Sequence, residues 1–97
     1  MSVEAHHGRA QLEAAQLELD RVHRAAIAAD AGEIRRGLAL ALTALREAGS
    51  AGLGPEADQV IGTVRASLET ARADLDGGAL TEMEQLVETA RTSLAQL

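Results

Sequence analysis

Apolar positions recur along this chain at alternating three- and four-residue steps, in four separate runs. The first is Leu12, Ala15, Leu19, Val22, Ala26 and Ala29; the second is Ile34, Leu38, Ala41, Leu45 and Ala48. The third is Ala57, Ile61, Val64, Leu68, Ala71 and Leu75; the fourth is Leu80, Met83, Val87, Ala90, Leu94 and Leu97. Such stepping keeps side chains on one side of an α-helix, whereas a half-buried strand would alternate by twos. The pattern predicts four amphipathic helices, each with one stripe to bury against a neighbour.

Between the runs lie residues that start and stop helices. Helix 1 is expected over about residues 9–29, closed by Asp30-Ala31-Gly32-Glu33. There Asp30 can accept from the free amides of helix 2 and Glu33 can reach back, a capping box, with Ala29 and Ile34 as hydrophobic staple. Helix 2 then runs to about Ala48. The stretch Gly49-Ser50-Ala51-Gly52-Leu53-Gly54 reads as a linker, and Pro55 suits the first turn of helix 3. Helix 3 ends near Leu75, and Asp76-Gly77-Gly78-Ala79-Leu80 repeats the logic of the first turn, with Asp76 as cap of helix 4. Thr81 and Glu84 offer an alternative start.

A shift of 46 residues lays Ala15 on Ile61, Val22 on Leu68, Ala29 on Leu75 and Asp30 on Asp76, which suggests two copies of one hairpin. The expected fold is therefore all-α: one domain over residues 1–97, with hairpin one at about 9–48, a Gly-rich linker at 49–54 and hairpin two at about 55–97. Two antiparallel hairpins pack most simply as an up-down four-helix bundle. The flexible linker also allows hairpins to exchange between two chains and build the same bundle as a swapped dimer.

Composition changes this picture in one respect. The 97 residues include no Phe, Tyr, Trp or Cys, and Ala and Leu dominate the apolar set. Each Ala buries little area and no aromatic ring adds to it, so the core of a single copy is thin and self-association is expected. Without Cys there is neither a disulfide nor a thiolate metal site. The start lacks the basic and apolar signature of a secretory signal, and no run approaches the roughly 20 apolar residues of a membrane span. A cytoplasmic protein with no membrane role is the expectation. All nine basic residues are Arg, which points to GC-rich bacterial coding and not to a mechanism.

The net charge is −6, with −1 on residues 1–48 and −5 on residues 49–97. A chain of that sign repels phosphate backbones, and no aromatic is present to stack on bases, so nucleic acid is not an expected partner. His6 and His7 precede the expected start of helix 1, while His23 lies about 24 Å further along it by the standard helical rise. No two are spaced to share a metal within a helix, and neither metal nor cofactor is expected. Glu82, Glu84 and Glu88, with Asp74 and Asp76, form the densest acidic group but lack an oriented partner for acid–base work. No activated nucleophile can be drawn, so an enzyme is not expected. The Gly-containing linker follows a helix and lacks the Lys of a phosphate loop.

What remains is an interaction surface. Residues Gly37 to Leu45 carry no charge, and Leu40 points roughly away from the seam of helix 2 with Leu42 at its margin. Leu17 lies off the seam of helix 1 in the same way. Apolar groups opposite a core stripe imply a second surface to bury. Arg21, Arg24, Arg35 and Arg36 flank the first turn, where Arg can grip carboxylates with two donors. Leu17, Arg21, Arg24, Arg35, Arg36, Leu40 and Leu42 are thus the candidate partner-binding residues. The expected function is a non-enzymatic interaction or adaptor module that associates with itself, as a homodimer, or with a partner helix through helices 1 and 2. A small-ligand or metal-binding bundle is the alternative.

Overall fold

In the computed structural model, which describes the backbone of residues 3–97 and side chains from His6 onward, the chain forms four α-helices: α1 (Val3–Ile27), α2 (Ala31–Gly49), α3 (Pro55–Asp76) and α4 (Leu80–Ala95). No strand occurs among the described residues. Helix α1 packs on α2 and α4, and α3 packs on the same two, while the backbones on either diagonal do not approach closely among the described residues. The result is a rod of 43 × 19 × 18 Å.

The apolar runs line its axis. Leu19, Val22, Ile34, Leu38, Leu45, Ile61, Val64, Leu68 and Met83 are the largest side chains withdrawn from solvent. Ala15, Ala41, Ala48, Ala71 and Ala90 fill the spaces between them. No polar or charged residue is buried among those described. The seam departs from expectation only at helix ends. In α1 it continues through Ala25, with Ala26 half-buried and Ala29 exposed, while Leu80 and Leu97 at the ends of the fourth run face solvent. A straight helix advances by 3.6 residues per turn, so a strict 3-4 ladder drifts off the contact line over its length.

Helix α1 also starts earlier than expected, at Val3, so His6 and His7 belong to it. Its first turns lie beside the linker, since a Cβ added at Gly8 would meet Ala51 at 2.7 Å. Ala51 is buried there and Leu53 half-buried, which makes the linker part of the bundle's end.

Both tight turns close by the same hydrogen bonds. In the first, Ala29 N donates to Ala26 O (3.1 Å) and Asp30 N to Ala25 O (2.9 Å), with Ala29 in the left-handed region at φ 56°. In the second, Gly78 N donates to Leu75 O (3.1 Å) and Ala79 N to Asp74 O (2.8 Å), with Gly78 at φ 80°. These are Schellman closures, which satisfy the last carbonyls of a helix. The Asp30 side chain then accepts from Glu33 N at 3.2 Å and caps α2, as expected. Asp76 does not cap α4: it is the last residue of α3, and Ala79 stands at the cap with no side-chain bond.

The turns therefore correspond at a shift of 49 residues, Ala29 with Gly78 and Asp30 with Ala79, and not at the 46 that pairs Asp30 with Asp76. The longer shift also lays Leu12 on Ile61, Leu19 on Leu68, Leu38 on Val87 and Leu45 on Leu94, all buried. It equals seven whole heptads, so it keeps these pairs on the seam, whereas 46 puts Leu19 over exposed Arg65.

Candidate interaction face on the first hairpin

The contact between α1 and α2 is set by a residue without a side chain. A Cβ on Gly37 would collide with Val22 Cγ2 and would come within 3.4 Å of the Glu18 carbonyl. The two backbones approach closely there, and this fixes their register. Because the helices run in opposite directions, one turn forward in α2 is one turn back in α1. Leu40 thus lies level with Leu17, and Arg36 level with Arg21. Glu47 lies near the start of α1, where His7 Nε2 is 3.9 Å from its Oε2.

Seven residues were expected on the partner face, and the structure divides them. Leu17 is 66% exposed, almost opposite the buried seam of α1, and Leu40 is 41% exposed. Leu42 retains only 6% exposure and packs within the core. Arg35 lies one heptad before Leu42, on the same side of α2, and its Nη2 donates to Asp76 Oδ1 at 2.6 Å. That bond ties the two turns together, so Arg35 and Leu42 both lean toward the second hairpin. Helical spacing alone placed Leu42 at a margin; the seat of α3 decides on which side of that margin it falls.

The remaining arginines stay on the outside. Arg21 Nη1 lies 3.2 Å from Glu18 Oε1. The other carboxylate oxygen of Glu18, Oε2, is buried without a hydrogen-bond partner. Arg24 and Arg36 are exposed and make no ion pair among the described residues. Glu33 is the one further acid of the first hairpin exposed at this end besides the capping Asp30. Toward the other end Glu47 is exposed on α2, while exposed Glu13 lies one heptad before Asp20, on the side of α1 that faces α4.

The other candidate features resolve simply. His7 Nε2 is 3.4 Å from Gln11 Nε2, His6 and His23 are exposed, and no three His, Asp or Glu residues converge on a metal position among the described residues. Of the acidic group, Asp76 holds Arg35 and Glu88 holds Arg91 at 2.8 Å. Arg91 also donates to Asp20 Oδ1 from Nε at 3.0 Å, clamping α4 to α1. Partial burial works against its charge, but the bonds to Asp20 and Glu88 outweigh that and hold the guanidinium above its ordinary range. An open cleft of about 690 Å³ lies where α4 stops short of the start of α3, lined by Leu53, Pro55, Val60, Thr63 and Leu97 among others. No helix is long and apolar enough to cross a membrane. Comparison with protein-family models, characterised proteins and solved structures finds no match to this chain.

Proposed function

We propose that this protein is a non-enzymatic interaction module: an up-down bundle of two hairpins that associates through the outer face of α1 and α2, with itself or with a partner helix, in the cytoplasm. One observation carries the reading. Ile27, Leu80 and Leu97 are exposed at helix ends, whereas Leu17 and Leu40 are exposed near the middle of α1 and α2. Large aliphatic side chains paired on an outward helical face gain about 1.5–3 kcal/mol each on full burial. The absence of aromatics from the core adds a reason for further burial between chains.

Replacing both residues, Leu17→Glu with Leu40→Glu, removes the apolar centre and leaves the buried seams untouched. Light scattering should show weakened association with helicity by circular dichroism retained. Association as strong as in the unmodified protein sinks the reading.

The open cleft beside Leu53 and Val60 supports a second reading, a small-ligand or metal-binding bundle. Calorimetric titration with zinc, nickel and copper, repeated with His6, His7 and His23 replaced by Ala, separates the two: heat lost in the variant favours the second.

A further inference from the structure

We infer that Arg46 and Arg65 form an anion site in the groove between α2 and α3, and that it takes one doubly charged oxyanion of the phosphate or phosphate-monoester class. The site is separate from the outer face of α1 and α2 and from the cleft beside Val60, and it depends on neither.

Two contacts set the register of that groove. Near the tight turns Arg35 Nη2 donates to Asp76 Oδ1 at 2.6 Å, and near the linker a Cβ added at Gly49 would lie 3.6 Å from Ile61 Cγ2. The two helices are antiparallel, so a step forward in α2 is a step back in α3. Counting from Arg35 forward to Arg46, and from Asp76 back to Arg65, covers the same number of residues on each helix and keeps the two level. That count is three helical turns to within about 20°. Arg46 therefore lies on the side of α2 that Arg35 occupies, and Arg65 on the side of α3 that Asp76 occupies. The arrangement that makes an ion pair at the tight turns recurs three turns along with a cation on both helices.

Nothing nearby neutralises these two charges. Both residues are exposed and neither makes an ion pair among the described residues, whereas Arg21, Arg35, Arg72 and Arg91 each hold an acid. Glu69, one turn from Arg65 toward the tight turns, lies 3.6 Å from Arg72 Nη2. Glu47 follows Arg46 in sequence but points about 100° round the helix, toward α1, where His7 Nε2 is 3.9 Å from it. Asp58 lies one heptad before Arg65, two turns toward the linker. The end of the α2 dipole favours a cation at Arg46, but Arg65 stands well inside α3 and gains nothing from a helix end.

The surroundings also select the occupant. Facing cations repel, and an anion held between them turns that repulsion into two attractions. Guanidinium groups grip phosphate oxygens with paired donors, and a phosphate monoester carries about −1.5 to −2 charges at pH 7, a match for two arginines. Glu69 on one side and Asp58 on the other confine the positive charge to a single level of the groove. One anionic group fits there, while a polyanion running along the groove would meet those carboxylates. Access is open as well. Gly62 lies one turn from Arg65, and a Cβ added to it would meet nothing within 4 Å. Glycine inside a helix is unfavourable and no packing contact calls for it here; it leaves the backbone beside the pair open to a ligand.

Titration with inorganic phosphate in exchange for chloride at fixed ionic strength, followed by the side-chain Nε–H signals of the arginines in NMR, tests the inference. Arg46 and Arg65 should shift together and saturate on one curve, while Arg24, exposed and likewise unpaired, should not. Phenyl phosphate should move the same two signals: tighter binding than inorganic phosphate marks a phosphorylated molecule as the source, and weaker binding marks the free ion. Acetate should bind at least tenfold more weakly than phosphate. Arg46→Gln and Arg65→Gln should each weaken phosphate binding at least tenfold with helicity by circular dichroism retained, and Arg24→Gln should leave it unchanged. A second measurement needs no ligand. In urea at low salt, Arg65→Glu should raise the midpoint relative to the same change made beside Arg46→Gln, because it converts the facing cations into a pair like Arg35 with Asp76. Shifts that do not saturate or that all exposed arginines share, binding kept in either Gln variant, or acetate bound as tightly as phosphate overturns the inference. So does an Arg65→Glu effect indifferent to residue 46, which would show that the two arginines do not face each other.

Discussion

Gly37 carries a constraint that its place in a helix conceals. Glycine inside a helix costs about 1 kcal/mol relative to Ala, so propensity alone recommends replacing it. Val22 and the Glu18 carbonyl occupy the space that a side chain would need. Overpacking a close contact costs about 1–3 kcal/mol, and Gly37→Leu should lower stability by at least about 2 kcal/mol in urea denaturation, against the propensity gain. Ala29 is the reverse case. It holds φ 56°, a conformation that glycine adopts without a Cβ penalty. Ala29→Gly should stabilise the protein by about 0.5–1 kcal/mol, and Gly78→Ala should destabilise it by a similar amount in the corresponding turn. Equal and opposite shifts in the urea midpoint check the pair; shifts of the same sign refute it.

Among elements, the two hairpins differ in how their second helices begin. Asp30 gives its side chain to the free amide of Glu33, and loss of such a cap costs about 1 kcal/mol. Asp76 instead holds Arg35 in an exposed pair, which contributes about 0–1 kcal/mol and is screened by salt. Asp30→Ala should therefore destabilise at any ionic strength, while the smaller effect of Asp76→Ala should fade in 1 M salt. A large salt-independent loss at Asp76 would restore it as a cap. Sequence spacing made these two aspartates look equivalent because each precedes a glycine-bearing turn. The difference lies in which residue takes the left-handed conformation, Ala29 just before Asp30 but Gly78 two residues after Asp76, and that choice moves the helix start by three residues.

At the scale of the molecule, the core is aliphatic and narrow, with five fully packed alanines where larger cores place bulkier groups. A domain of this size has about 5–15 kcal/mol of stability in total. Leu68→Ala, near the centre of α3, should cost about 2–5 kcal/mol, a large share of that total, read as a lowered urea midpoint. Association changes this balance by mass action. The melting temperature should rise with protein concentration, and that rise should vanish in Leu17→Glu/Leu40→Glu; a melting temperature independent of concentration in the unmodified protein counts against self-association.

The number of helices, their seams and the cap at Asp30 follow from the sequence alone, because periodicity and capping are local and depend on residues within a turn or two. Leu17 and Leu40 could be found the same way, as aliphatic positions on the wrong side of a helix. Register and side are different. That Gly37 sits on Val22, that Leu42 packs into the core and that Arg35 reaches Asp76 across the two turns depend on how far one helix slides past the next. Steric fit between non-adjacent segments sets that sliding, and no local pattern in the chain encodes it.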